Sequence, residues 1–334
     1  MSHPAEALPP LLALIAYLTL YTIRTRTLER ERRPVPTWRI ASFAFGVVLM
    51  AAVQVGPADQ LADSVLVAHM VQHIVIGDIA SLFIVLGLTG PVLQPLLHMK
   101  WSRPLRTLAN PLVALALWAT NLYLWHIPFF YQLAIQHDLV HALEHATMLW
   151  FGTLLWLALI GPLPKPAWFS GWGALVYVIA VRLIGAVLAN VLIWSQTVFY
   201  PVYKASDAAR GLNPLSDQNV AGGVMMVEEM LLTTLILGWL FYRFAQQDEE
   251  RQELLDFAAE HGVELSDARA TRAARAGRGA LLRERILAGA AVDDASLVPV
   301  DETSAPERNG AERDAPINQL GEAHGQLAGP HGSG

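Results

Sequence analysis

Six of the eleven histidines in the chain, His69, His73, His126, His137, His141 and His145, stand near the ends of apolar stretches. His69 and His73 are four residues apart, as are His141 and His145, so on helices each pair shares one face. Two such pairs on neighbouring helices, with His126 between them, have the donors to surround one ion. Imidazole is a borderline ligand that suits copper, zinc or iron, and thioether sulfur shifts the preference toward Cu(I). Met70, Met225 and Met226 are available for that, although methionine in such stretches usually packs. Glu144, beside His145, is placed to orient an imidazole as a hydrogen-bond acceptor. A haem held between histidines is the other chemistry these residues offer. The bland alternative for any single histidine is a hydrogen bond to interfacial water. The chain has no cysteine, so disulfides, thiolate metal sites and cysteine nucleophiles are excluded.

A second group is deeper in apolar sequence: Asp78, Arg182, Glu228 and Glu229. Charges inside a bilayer are costly and pair within the bundle. Arg182 bridging Asp78 and Glu228 meets that need, either as an ion pair locking the helices or as part of a proton or ion path.

These residues need elements to position them. Hydrophobic residues make up 54% of the chain and charged residues 16%, against about 25% charged in a typical globular protein. Residues 1–243 carry a net charge of +2 and residues 244–334 a net charge of −8. Seven apolar stretches, roughly 8–24, 37–56, 64–86, 109–130, 139–160, 173–195 and 219–243, are each near the ~20 residues that cross a bilayer. Backbone polar groups in lipid must be satisfied within their own segment, and no alternating ten-residue strands occur, so the stretches read as helices. The expected fold is an all-α, polytopic transmembrane helical bundle of about seven spans. The first stretch lacks a basic flank and a small-residue cleavage site, so it is expected to be a retained helix rather than a signal peptide.

Basic residues orient the bundle. Arg24, Arg26, Arg30, Arg32, Arg33, Arg39, Lys100, Arg103, Arg106, Lys165 and Arg243 fall on one side, and Lys204 and Arg210 on the other. This predicts the N-terminus outside and the C-terminus cytoplasmic. It also puts all six histidines in the outer leaflet. Residues 1–243 form the expected membrane domain. Residues 244–291, rich in Glu, Ala, Arg and Leu, read as one or two cytoplasmic helices broken near Gly262 and Gly277. Residues 292–334, with few large apolar groups, are expected to be disordered. Nothing in the charge distribution points to nucleic acid. Phosphate-binding loops, H-E-x-x-H and G-x-S-x-G are missing, which argues against an enzyme.

The motifs His69-Met70-Val71-Gln72-His73, Gly87-Leu88-Thr89-Gly90-Pro91, Asn121 to Pro128, His141-Ala142-Leu143-Glu144-His145 and Ser216 to Gly223 occur in that order. Together they resemble the CtaG-type cytochrome c oxidase assembly proteins, over roughly residues 40–243. The resemblance implies a seven-helix protein of the bacterial plasma membrane that helps build a haem–copper oxidase. It further implies copper handling on the outer side and cytochrome c oxidase subunits as partners. The candidate copper ligands it contains are His69, His73, His126, His141 and His145, with Met70 and Met225 weaker; His137 precedes the matched motif and receives no role. A copper transporter gated by Asp78, Arg182 and Glu228, and a haem- or quinone-binding redox protein, are the rival readings.

Overall fold

The computed structural model describes residues 8–99, 107, 110–163, 165–166, 168–169 and 171–288, with side chains from Leu12 onward. Lys100, Arg103 and Arg106, used above for orientation, lie outside the described residues, as does the tail from Val292 expected to be disordered. The chain divides into two compact units, Met1–Gln246 and Gln247–Gly334.

In the first unit, α1 (Leu8–Arg30) is followed by α2 (Thr37–Gln54) and a short α3 (Pro57–Ala62). The third stretch comprises α4 (Leu66–Ile74), a π-helical turn (Val75–Ala80) and α5 (Ser81–Gly87), then α6 (Gly90–His98). The fourth is α7 (Pro111–His126) and α8 (Pro128–Gln136), and α9 (Asp138–Ile160) and α10 (Gly171–Trp194) come next. A 3-10 turn (Pro201–Tyr203) and α11 (Lys204–Ala209) lead to α12 (Pro214–Glu260). Among the described residues there are five helices long and apolar enough to cross a membrane, and a sixth if α7 and α8 count as one bent span. The predicted first span falls in α1, whose first turn carries no described side chain.

Three of the expected spans differ in form from simple helices. The stretch 109–130 is not one rod: α7 and α8 meet at 73°. Pro128 has no N–H to continue the ladder and forces the preceding residue into extended geometry, which Ile127 adopts (φ −64°, ψ 126°). The third span carries a π turn that frees carbonyls: Trp156 Nε1 donates to the Asp78 carbonyl (2.9 Å) and Ser81 Oγ to that of Gly77. The helix that carries the last expected span begins at Pro214 and runs on past residue 243 to Glu260.

Three local devices hold the site-bearing helices. Asp217, at the start of α12, accepts from the first two backbone N–H groups of α4, Leu66 (2.7 Å) and Val67 (3.2 Å). These are orphan donors that α4 cannot satisfy itself. Gly77 and Gly152 let α9 close on the π turn: a Cβ built on Gly152 would lie 1.9 Å from the Gly77 carbonyl oxygen. At the other end, Arg39 donates to the last carbonyls of the third span, Leu86 (2.9 Å) and Leu88 (3.1 Å).

In the second unit, the end of α12, α13 (Asp267–Arg275) and α14 (Gly279–Leu287) bury Leu254, Ala258, Ala270, Ala273, Leu282 and Ile286 together. The breaks fall at Gly262 (φ 67°) and Gly277 (φ 63°), left-handed positions that suit glycine after a helix end.

Candidate metal centre

α4 and the first turns of α9 bring four buried side chains to one point. One ligand-competent atom from each of His69, His73, Glu144 and His145 lies within 4.8 Å of the other three. The four-residue spacing in each helix aims the two pairs inward. His69 and His73 stand 4.3 Å apart between ring centroids, His141 and His145 also 4.3 Å, and His69 stacks on His141 at 5.4 Å. His126, at the end of α7, faces His73 at 6.2 Å. All five histidines expected to act together are therefore neighbours. His137 is not among them: it is exposed at the residue before α9.

Glu144, expected to face an imidazole, faces those of the other helix. Its carboxylate crosses to α4, 3.5 Å from His73 Nε2 and 3.9 Å from His69 Nε2. Adjacent residues on a helix diverge by about 100°, so Glu144 and His145 reach the cluster from different directions.

Most of the donor atoms lack a hydrogen-bond partner. Both oxygens of Glu144, both nitrogens of His73 and the Nε2 atoms of His69, His126, His141 and His145 are buried without a hydrogen-bond partner among the described residues. A buried polar atom left unpaired costs roughly 1–3 kcal/mol, so this many in one place calls for an occupant. For His126 the tautomer follows from its partner. Nδ1 lies 2.7 Å from the Leu122 carbonyl, which only accepts, so Nδ1 carries the hydrogen and Nε2 offers a lone pair. A cluster of imidazole nitrogens with one carboxylate fits copper, zinc or iron and is too rich in nitrogen for magnesium or calcium. Met70 and Met225 pack in an apolar cluster with Leu66, Tyr131 and Leu188, and both line a cavity that His73 and His126 also line.

A tyrosine wall flanks the cluster. Tyr131 meets His69 edge-on with ring centroids 5.1 Å apart, its hydroxyl is 2.9 Å from that of Tyr203, and Tyr200 donates to the His126 carbonyl (2.9 Å). Burial holds the Tyr200 and Tyr203 phenols above their ordinary range, so they remain neutral. On the opposite side of the sequence's charge pattern, Lys165 donates to the Leu159 carbonyl. Burial, and then the neighbouring Arg243, push its ammonium down to about 8.

The deeper charges also meet. Arg182 lies 4.0 Å from Asp78 and 3.9 Å from Glu228, with its guanidinium 5.8 Å from the Trp156 ring centroid. Glu229 lies against Gly185, where a Cβ would come 1.7 Å from its Oε1. A cavity of about 40 Å³ is lined by members of both groups, His73 and His126 together with Asp78, Glu228 and Glu229.

Sequence reasoning missed two contributors. Asp217 was visible only as part of a motif, although an Asp near a loop–helix junction is an ordinary cap signal. The Gly77–Gly152 contact had no signal, since small residues in apolar helices are common and their pairing is a property of the packed bundle.

These features define a polytopic helical membrane protein with a histidine-rich, metal-competent cluster inside the bundle. Residues 19–247 match the family described as cytochrome c oxidase caa3 assembly factor (Caa3_CtaG), and the chain belongs to that family. No curated protein and no solved structure matches it. The protein is thus a multi-pass member of a family that assembles cytochrome c oxidase.

Proposed function

We propose that the protein is a non-catalytic copper carrier of the bacterial plasma membrane, receiving copper as cargo on the outer side and passing it to a subunit of a haem–copper oxidase. The observation that carries this reading is the convergence of His69, His73, Glu144 and His145 donors within 4.8 Å, unpartnered and walled off from solvent. The family supports the oxidase as recipient. The orientation rests on the eleven basic residues on one side of the bundle against two on the other, which puts the histidines outside and the C-terminus in the cytoplasm. His126 and His141 flank the four donors and suit the role of stepping ligands during entry or release. Carriage needs intermediate affinity, and imidazole with one carboxylate, without thiolate, supplies it.

The test combines binding and phenotype. Purified protein in lipid nanodiscs is titrated with Cu(I) and Zn(II) against chelators, and oxidase is scored by a reduced-minus-oxidised spectrum of membranes. H73A, H145A and E144Q are expected to weaken copper binding at least 10-fold and to lower the aa-type haem signal. A protein that binds zinc but not copper, or variants with full oxidase yield, would remove the reading. The rival of copper translocation predicts copper uptake into vesicles that D78N abolishes.

A further inference from the structure

The cavity between the histidine cluster and the charged layer has a composition that its histidines do not explain. Three carboxylates, Asp78 from the π turn and Glu228 and Glu229 from α12, line it, and the one cation beside them is Arg182 from α10, 4.0 Å from Asp78 and 3.9 Å from Glu228. Ionised together they would leave two uncompensated negative charges in the interior of a membrane bundle, which a low-dielectric medium does not support. Neither carboxylate paired with Arg182 reaches hydrogen-bond distance; the gaps of 4.0 and 3.9 Å are the spacing at which a bridging water or an added proton matters. Glu229 is only 9% exposed, lines the cavity, and has an Oε2 with no hydrogen-bond partner among the described residues. The volume of about 40 Å³ exceeds what one water needs, and His73, His126, Asp78, Glu228 and Glu229 supply polar groups to an otherwise largely apolar lining. Other titratable groups near it are His73 on α4 and His126 and Tyr123 on α7; Trp156 on α9 adds only its ring and N–H.

We propose that Asp78, Glu228 and Glu229 form a second site, whose ligand is the proton, reached through a hydrated cavity from the histidine cluster. One carboxylate balances Arg182, and the others hold exchangeable protons. When a cation enters the histidine site, a carboxyl O–H bond breaks, the oxygen keeps the electron pair, and the proton passes to cavity water and out to the bulk phase. When the cation leaves, a proton returns. The charge of the bundle interior is thereby kept constant as cargo comes and goes. The coupling rests on the proposed copper function; the proton site itself does not.

Infrared spectroscopy of the full-length protein in nanodiscs separates the two. Without metal at neutral pH, wild type is expected to show a carboxylic-acid carbonyl band that shifts promptly in heavy water, with part of its intensity lost in D78N, E228Q or E229Q and retained in E144Q. The absence of an acid band, a band inert to heavy water, or one lost only in E144Q would overturn the proposal; the heavy-water arm needs no variant to fold. Adding Cu(I) is expected to diminish the band. A band unchanged while Cu(I) binds overturns the coupling. Failure of Cu(I) to bind refutes the carrier reading instead, and the metal-free band then decides the proton site.

Discussion

Replacing Gly152 by alanine probes the geometry of the metal centre without touching a ligand. The new Cβ would stand 1.9 Å from the Gly77 carbonyl oxygen, whereas real Cβ contacts essentially never fall under 3.0 Å. The obstacle is backbone on the π turn, so it cannot rotate away, and α9 must move outward by about 1 Å, the difference between those two distances. Overpacking of this kind costs about 1–3 kcal/mol. Gly152 is seven residues beyond His145, on the same face and about 10 Å along the helix, so the shift carries to the donors that α9 supplies. Metal sites tolerate only about 0.2 Å in ligand distance, so copper affinity should fall by at least 10-fold along with the melting temperature. Gly223, with nothing within 4 Å of a built Cβ, is the control. G223A should leave affinity unchanged and raise stability by about 0.5–1 kcal/mol, as alanine does for glycine in a helix. The assay is a Cu(I) competition titration and a thermal melt of both variants in nanodiscs. Wild-type affinity and melting in G152A would refute the reasoning, because the two helices would then not be in backbone contact.

Further outcomes follow from particular contacts. D217A removes the acceptor for the first N–H groups of α4 and should cost about 0.5–2 kcal/mol, with weaker metal binding, while D217N keeps one acceptor oxygen and recovers most of both; identical melts for wild type and D217A would dismiss the cap. Lys165 titrates at about 8 in the folded protein against 10.5 when free. Between those values the unfolded chain binds the extra proton, so stability should rise with pH across that window, by about 3 kcal/mol at most. K165M should flatten the rise and be more stable than wild type below pH 8, as read from melting midpoints; an equal slope in both proteins would remove the assignment.

The helical membrane class was legible in the sequence because it is a local property: an apolar run of sufficient length must become a helix in lipid, whatever its neighbours do. The partnership of the histidines was legible for a related reason, since four-residue spacing fixes a shared face before any packing is known. Arg182 with Asp78 and Glu228 followed from the cost of unpaired charge. The breaks at Gly262 and Gly277 followed from glycine's access to left-handed backbone. Other features depended on how helices meet. The sequence placed Glu144 beside His145, but only the packing of α9 on α4 turned its carboxylate to His69 and His73. The bend at Ile127 is encoded by Pro128, yet the run of apolar residues through it read as one span, because hydropathy averages over a break that backbone sterics impose. The π turn, the Gly77–Gly152 contact and the cavity between the two polar groups have no local signature at all. Residue types and spacing determined which chemistry is available along each helix; the close approach of backbones from distant parts of the chain decided which of those groups share a site, since that approach depends on both surfaces at once.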